Sequence, residues 1–491
     1  MHSRFLQPAS ALAAVLFSAI LAPLAGAAAP TNVLLLVADD MNYDTPGFTG
    51  NPLPDVTPNL DRLAREGLRI LNAHVTVAVC QPSRECLMTG RYPHRNGAIG
   101  FVPIRDDVPT LMESLKMAGY QLGILGKTEH LKPDAKFPWN FKREQRELGA
   151  GRDPARYHQF AKMFLDQAKA VGKPFFLMAN SHDPHRPWAG SEEEKRLARP
   201  AKKGKAAKGG AESDDEAIAG NYPAPSRVYR PEEIAVPGFL ADLPAVREEM
   251  AQYYSSAHRC DEALGGVLRA LREAGMEATT LVIFISDNGI AMPFAKSNCY
   301  LTSTRTPWLV RWPGKVRPGV VDTEYFISGI DFMPTVLAAT GIAAPAGMDG
   351  SSFLPLLTQG SQPGRDRVFT CFNEGSGRLA FPMRCLQTKR FGYIFNGWSD
   401  GKTAFRGAGT NSATLIAMKK SAGRNSDLAA RMEMLLHRVP EELYDFERDP
   451  NALHNLAASP ENREELQQMR SQMRNWMEQT QDPLLARYRM K

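Results

Sequence analysis

Four short apolar runs limit the fold of this 491-residue chain more than any other feature. Each run is continuous rather than alternating and too short for a buried helix, so each predicts a strand buried on both faces of a mainly parallel sheet. Strands that alternate with helical segments indicate a doubly wound α/β domain. The runs span residues 32–38, 120–125, 175–180 and 281–286, with shorter strand candidates at 308–310 and 325–327.

Polar residues follow each of the four runs. The carboxyl ends of parallel strands meet at one edge of a sheet, where open α/β sheets bind their ligands. Three carboxylates and an amide in this set are hard oxygen donors, which suit Ca²⁺ or Mg²⁺ better than zinc. Basic groups beside a divalent cation would stabilise a tetrahedral oxyanion. The residues are Asp39 and Asp40, Lys127 and His130, His182 and His185, and Asp287, Asn288 and Lys296.

A cysteine stands at the start of another predicted helix. In Cys80-Gln81-Pro82-Ser83-Arg84, the proline and serine suit a first helical turn. A lone cysteine in such a place is commonly an ordinary buried residue. A thiolate at a helix N-terminus beside Arg84 would instead be ionised and nucleophilic.

This segment, continued by Met88-Thr89-Gly90, resembles the signature C-x-P-S-R-x-x-x-[LM]-T-G of type I sulfatases, whose cysteine is oxidised to formylglycine. The chain is similar to the sulfatase branch of the alkaline-phosphatase-like superfamily, and most similar to its N-sulfoglucosamine sulfohydrolases (heparan sulfamidases). The resemblance implies a doubly wound, mainly parallel sheet with a smaller C-terminal α+β domain of antiparallel sheet plus helix. Supporting segments include His182-Asp183-Pro184-His185-Arg186, Ser286-Asp287-Asn288-Gly289-Ile290, Pro382-Met383-Arg384 and Glu442-Leu443-Tyr444-Asp445.

The resemblance also implies a role for each site residue. One calcium ion would be bound by Asp39, Asp40, Asp287, Asn288 and the oxygen of the modified Cys80. Arg84 would hold the formylglycine hydrate, of which one hydroxyl attacks sulfur and the other later expels sulfate. The remaining predicted roles are sulfate binding by Lys127 and Lys296, acid and base catalysis by His130 and His185, and substrate contact by His182 and Arg384.

Some positions depart from the family pattern, and one departure bears on a catalytic histidine. Thr128 and Glu129 both separate Lys127 from His130, where the family commonly has a single residue. His182 is therefore kept as an alternative for part of the role of His130.

The function that this resemblance implies is an exported sulfatase acting on sulfate esters or sulfamates of carbohydrates. Its partners would be a sulfated carbohydrate and a formylglycine-generating maturation enzyme, and it would work as a monomer or homodimer. The alternatives are an O-sulfatase on another sulfated polysaccharide, a phosphate or phosphonate ester hydrolase of the same fold, and a non-catalytic binder of sulfated glycan.

The N-terminus has the three parts of a secretory signal, predicted at residues 1–28: Arg4, an apolar run at 9–24 and small residues at 25–29. This predicts a periplasmic or secreted protein. No other apolar stretch approaches the roughly 20 residues that span a bilayer, so no membrane association is expected. We predict a catalytic domain at residues 29–378 with a disordered insertion at about 199–220, and a C-terminal subdomain at 379–491.

Charge and cysteine content add two expectations. The formal charge of +6 is modest, and several basic residues share one run at 195–208, so no nucleic-acid partner is expected. Export implies an oxidising compartment. Cysteines other than Cys80 could pair there, with Cys371 and Cys385 as one candidate pair.

Overall fold

Two β-sheets organise this protein. The structure is a computed structural model that describes residues 31–198, 222–410 and 412–490. The predicted signal segment at 1–28 and the predicted insertion at 199–220 lie outside these residues. The described strands are β1 (Asn32–Ala38), β2 (Leu68–His74), β3 (Gln121–Leu125), β4 (Phe141–Arg143), β5 (Phe175–Asn180), β6 (Thr280–Ser286), β7 (Trp308–Arg311), β8 (Val320–Ser328), β9 (Arg367–Glu374), β10 (Ala380–Thr388), β11 (Phe391–Asn396) and β12 (Glu441–Asp445).

Helices flank both sheets. In the described residues they are α1 (Pro58–Arg65), α2 (Cys80–Thr89), α3 (Pro93–Asn96), α4 (Leu111–Met117), α5 (Pro154–Ala170), α6 (Glu192–Ala198), α7 (Pro244–Glu273), α8 (Leu301–Thr304), α9 (Phe332–Thr340), α10 (Leu354–Gln359), α11 (Ala413–Ala422), α12 (Ser426–Leu436), α13 (Arg463–Gln479) and α14 (Leu485–Arg489).

The larger sheet has the order β4-β3-β5-β1-β6-β7-β2-β8, and β7 runs antiparallel to both of its neighbours. All seven residues of the central strand β1 are buried. Leu34 and Leu36 pack into one hydrophobic cluster and Val33 and Leu35 into the other, because successive side chains of a strand point to opposite faces. The sheet is covered on both faces, which confirms the predicted doubly wound, mainly parallel fold.

The smaller sheet is antiparallel, in the order β12-β11-β10-β9, and α13 packs against it. This agrees with the predicted C-terminal sheet and helix. Its edge strand β9 precedes residue 379, the first residue of the predicted C-terminal subdomain. The connection from β9 to β10 therefore contains the predicted boundary.

The candidate disulfide between Cys371 and Cys385 does not form. Cys371 lies opposite Arg384 in the antiparallel register, whereas Cys385 lies opposite Thr370. Adjacent residues of a strand point to opposite faces, so the two sulfur atoms cannot meet. All six cysteines are buried free thiols.

Among the described residues, no helix combines the length and the apolar character needed to cross a bilayer.

Candidate active site

The predicted site residues lie at the carboxyl ends of four neighbouring strands. Asp39 and Asp40 follow β1, Asp287 and Asn288 follow β6, and the basic residues follow β3, β5 and β6. Because these strands stand side by side in the order β3-β5-β1-β6, their ends meet at one edge of the sheet. The structure therefore brings together the polar groups that the apolar runs predicted.

Cys80 is the first residue of α2 and is fully buried. Its Sγ lies 3.2 Å from Oδ1 of Asp39 and 3.1 Å from Nζ of Lys296. Burial and the neighbouring Asp39 raise the pKa of the Cys80 thiol well above its usual value. This corrects the prediction of an ionised thiolate, because desolvation outweighs the helix N-terminus and the nearby cations.

Arg84 joins the carboxylates of two strand ends. Its Nε and Nη2 donate to Oδ2 of Asp287 at 3.0 and 2.7 Å, and Nη2 also lies 3.3 Å from Oδ2 of Asp39. Its Nη1 donates to Oδ1 of Asn180, the last residue of β5. Sequence reasoning missed Asn180, although a polar residue closing an apolar strand is a usable signal. Arg84 thus fixes three strand ends relative to α2.

Two buried lysines face the first carboxylate pair. Nζ of Lys127 lies 2.7 Å from Oδ2 of Asp39, and Nζ of Lys296 lies 2.8 Å from Oδ1 of Asp40. Lys127 has a φ of 52°, and this left-handed turn ends the strand segment that delivers it. Lys296 therefore adjoins both the thiol of Cys80 and Asp40, whereas Lys127 adjoins Asp39.

The two adjacent aspartates differ in their protonation. Burial favours the neutral form of Asp39, but Lys127 and the other nearby cations outweigh it and hold the pKa of this carboxyl well below its usual range. Burial, opposed in part by Lys296, raises the pKa of Asp40 to about 8. Burial and the charge of Asp39 raise the pKa of Asp287 as well. Three carboxyl groups so close together favour a cation, which would offset their mutual repulsion.

His185 presents one ring nitrogen to this cluster. Its Nε2 lies 3.9 Å from Oδ2 of Asp40, while Nδ1 lies 2.7 Å from the carbonyl oxygen of Arg186. The ring of His182 lies 4.9 Å from that of His185, centroid to centroid, and its Nδ1 contacts the side-chain amide of Gln145. His182 and His185 therefore occupy one side of the site.

His130 lies in a short 3₁₀ turn after β3. Its backbone N–H donates to the carbonyl of Lys127 at 3.2 Å, and its buried ring meets Phe101 edge-on at 5.9 Å. Thr128 and Glu129 form the rest of this turn. This turn contains the additional residue between Lys127 and His130.

A buried ion-pair cluster that sequence reasoning missed holds the segment carrying His182 and His185. Asp183 accepts from Nε of Arg152 at 2.9 Å and from Nε of Arg259 at 2.6 Å. Its backbone carbonyl accepts from the N–H of Asp39 at 3.2 Å. These partners are distant in sequence and carry no periodic signal, so the pattern could not reveal them.

Arg384 does not have the surroundings of a substrate-binding residue. Its guanidinium is fully buried, donating to both carboxylate oxygens of Asp482 and to the carbonyls of Phe372 and Met383. None of these partners belongs to the predicted site. The predicted contact of Arg384 with substrate is therefore replaced by a structural role within the C-terminal subdomain.

The donor set fits a hard divalent cation. Ligand atoms of Asp39, Asp40, Cys80 and His185 lie within 4.8 Å of one another. The side-chain amide of Asn288 donates to Oδ1 of Asp40 at 2.6 Å, while its own buried Oδ1 has no hydrogen-bond partner among the described residues. A buried acceptor with no donor beside grouped carboxylates is what an oxygen-liganded cation would satisfy.

An open α/β sheet with an acidic, lysine-flanked cluster at its carboxyl edge is the arrangement of alkaline-phosphatase-like hydrolases. The chain belongs to the sulfatase family: the model described as Sulfatase matches residues 31–342. The model described as N-sulphoglucosamine sulphohydrolase, C-terminal, matches residues 291–398. These matches confirm the predicted family and its hydrolase class.

Known proteins agree with this assignment. N-sulphoglucosamine sulphohydrolase of Homo sapiens is 31% identical over 481 residues, which cover 93% of this chain and 91% of the relative. A structure solved in complex with its substrate D-glucosamine-2-N,6-O-disulfate has a TM-score of 0.66 at 19% identity and covers 92% of this chain and 99% of that one. Phosphonate monoester hydrolase of Agrobacterium radiobacter has a TM-score of 0.62 at 20% identity, covering 92% and 96%. The two structures show the shared fold.

Proposed function

We propose that this protein removes sulfate from sulfated carbohydrates, and that its preferred substrate carries an N-sulfate on glucosamine. The observation that carries the proposal is the meeting of Cys80, two lysines and a buried acidic cluster at one strand edge. The match of the C-terminal segment and the human relative, both named for N-sulphoglucosamine, support the sulfamate over an ester.

Two groups complete the proposed site. Formylglycine made from Cys80 would supply a hydroxyl nucleophile that the protonated thiol does not offer. Calcium held by Asp39, Asp40, Asp287, Asn288 and residue 80 would neutralise negative charge around the sulfate.

The other residues act on the substrate directly. Lys127 and Lys296 bind sulfate oxygens through ammonium groups already positioned by Asp39 and Asp40. His185 gives a proton from Nε2 to the leaving amine, which needs one to depart. Arg84 acts indirectly, because its guanidinium holds the carboxylates of Asp39 and Asp287 in place.

We also propose that the protein works outside the cytoplasm, in the periplasm or after secretion. The charged, apolar and small-residue parts of residues 1–28 support this location. Detection of a mature N-terminus near residue 29 in an exported fraction would test it.

The substrate is tested with protein co-expressed with a maturation enzyme. Initial rates on glucosamine N-sulfate, glucosamine 6-sulfate, an aryl sulfate and an aryl phosphonate should give the highest kcat/KM for the N-sulfate. A higher kcat/KM for the 6-sulfate would show that the protein is an O-sulfatase. A higher kcat/KM for the phosphonate would overturn the sulfatase proposal.

Two cysteine variants provide the controls. Cys80→Ala should fold but have no activity, and the peptide that contains residue 80 should have the mass of formylglycine in active wild-type protein. Cys86→Ala removes another fully buried thiol of α2 and should keep activity. Full activity with an unmodified cysteine at position 80 would contradict the proposed nucleophile.

A further inference from the structure

A small pocket lies beside the candidate active site, where the loop after β6 meets the β9–β10 hairpin and the loop after β11. Its lining includes Ser297, Ser376, Leu379, Arg406, Gly407 and Ala408. None of its lining residues is acidic. The pocket, which we call the Arg406 pocket, therefore offers one cation, hydroxyl groups and a small apolar surface.

The pocket is fixed to a sulfate-binding lysine. Ser297 follows Lys296, whose Nζ lies 3.1 Å from Sγ of Cys80. Ser297 has a φ of 67°, its N–H donates to the carbonyl of Ala78 at 2.8 Å, and its Oγ accepts from the N–H of Ala408 at 3.4 Å. Adjacent Cα atoms are about 3.8 Å apart, so the pocket wall begins one residue from the site that would bind the scissile sulfate.

The backbone that carries Arg406 is anchored, whereas its side chain is exposed. Phe405 is buried, donates its N–H to the carbonyl of Leu436 at 2.8 Å, and packs against the rings of Phe381 and Trp398. Arg406 forms no hydrogen bond or ion pair with any other residue in the described part of the chain. A guanidinium with all its donors available matches the paired oxygens of a carboxylate or sulfate.

Glycine at position 407 allows the two walls to come close. A Cβ at Gly407 would lie 3.2 Å from Cβ of Ser297 and 2.8 Å from the ring of Phe405. A larger residue would push the Arg406 loop away from the loop of Lys296. The local sequence thus keeps the guanidinium near the catalytic edge.

We propose that the Arg406 pocket is an anion subsite that binds a second carboxylate or sulfate of the substrate while the scissile sulfate lies at residue 80. This inference rests on the proposed function and specifies its substrate class: a sugar or oligosaccharide with at least two anionic groups. Arg406 pairs with the second anion, Ser376 is a hydroxyl donor, and Leu379 contacts an apolar face of the sugar ring.

The test compares Arg406→Gln with Lys402→Gln, which removes an exposed positive charge from the same loop but outside the pocket. The substrates are glucosamine N-sulfate, glucosamine N,6-disulfate, a disaccharide that adds a uronate carboxylate to the N-sulfate, and an aryl sulfate. Arg406→Gln should raise KM for at least one doubly charged substrate by about tenfold or more, because a charge-assisted hydrogen bond is lost. Its kcat should be unchanged, and Arg406→Lys should restore part of the affinity.

The pattern of loss identifies the second anion. A larger KM effect on the disulfate assigns a sulfate, and a larger effect on the uronate disaccharide assigns a carboxylate. Equal effects of Arg406→Gln on the singly and doubly charged sugars, or equal effects of Arg406→Gln and Lys402→Gln, would overturn the subsite while leaving the sulfatase function intact. Turnover of the aryl sulfate with no turnover of any sulfated sugar by wild-type protein would instead overturn the proposed function together with the subsite.

Discussion

One ring nitrogen of His185 contacts a backbone carbonyl, and the other faces the candidate active site. Its Nδ1 lies 2.7 Å from the carbonyl oxygen of Arg186, which can only accept, so Nδ1 carries a proton. The proton that the ring gains and loses is therefore the one on Nε2, 3.9 Å from Asp40. Such a nitrogen is suited to general acid catalysis.

The effect of replacing His185 with Gln should depend on the leaving group of the substrate. General acid catalysis contributes roughly 10²–10⁴-fold, so kcat/KM on the sulfamate should fall by that amount. The leaving group of an activated aryl sulfate needs no such proton, so kcat/KM on that substrate should fall far less. His437→Gln, at a partly exposed position far from these residues in sequence, is the control. Equal losses of His185→Gln on both substrates would remove the proton-donor role.

The proposed calcium binding should depend on pH through Asp40. Its folded pKa of about 8 in the metal-free protein lies above the ordinary 3.8, so metal-free protein should lose stability as pH rises from about 4 to about 8. Calcium requires the ionised carboxylate and displaces the proton, so its apparent affinity should rise over the same window. Removing calcium should also abolish turnover.

Calorimetric titration of the metal-free protein with Ca²⁺ would measure this linkage. In buffers of different ionisation enthalpy at about pH 7, the heat should reveal release of roughly one proton per ion. Asp40→Asn should abolish that release, while the exposed Asp242→Asn should not affect it. Binding without buffer dependence would contradict the raised pKa.

The bounds of the strands were predicted correctly where burial along the strand is uniform. β1 and β5 have the bounds 32–38 and 175–180 that their apolar runs predicted. β8 is longer than its predicted residues 325–327, because its first half lies exposed at the sheet edge and has no continuous apolar run. Likewise, α7 begins at Pro244, before the apolar periodicity that starts near Met250 becomes regular.

The segment after β5 depends on α7 for its position. Arg259 of α7 is buried against Asp183, whose carbonyl bonds to the backbone of Asp39. Arg259→Gln should leave a buried carboxylate short of a partner and lower the free energy of unfolding by about 3–5 kcal/mol. Urea unfolding of this variant and of Arg269→Gln, an exposed arginine of the same helix, would measure the difference.

Activity should follow the same comparison. Arg259→Gln should lower kcat because the segment that carries His185 loses its support, whereas Arg269→Gln should retain wild-type turnover. Wild-type stability and turnover in Arg259→Gln would show that Arg152 alone holds Asp183.

At the scale of the whole molecule, buried charges join the C-terminal subdomain to the catalytic part. Asp482 pairs with Arg384 of β10 and lies 3.8 Å from Nδ1 of His94 in α3. His94 also packs against Trp476 of α13. The resemblance assigned Arg384 to the substrate, and a single charged residue has no periodicity that could have revealed its distant partner Asp482. The larger sheet, in contrast, followed from local apolar patterns.

His94 should make the stability of this junction depend on pH. Burial, opposed in part by Asp482, lowers its pKa from 6.5 to about 4. The unfolded chain therefore binds the proton more readily, and the free energy of unfolding should fall by about 3 kcal/mol as pH drops from about 6.5 to about 4. His94→Gln should reduce this fall.

Urea unfolding across that pH range would measure the effect, with His437→Gln, at a partly exposed position, as the control. His74, whose pKa is lowered to about 3 by burial, adds a fall of the same sign and remains in both variants. An unchanged pH dependence in His94→Gln would contradict the role assigned to His94.

The burial of α2 limits when the conversion that we propose at residue 80 could take place. All ten residues of this helix are buried, and Cys80 has no exposed surface in the finished fold. An oxidising enzyme could reach that sulfur only while the chain is still extended, during synthesis or translocation. The conversion that we propose at residue 80 would thus have to take place before folding is complete. Protein that folds with an unmodified Cys80 would remain inactive however long it is later incubated with its maturation enzyme.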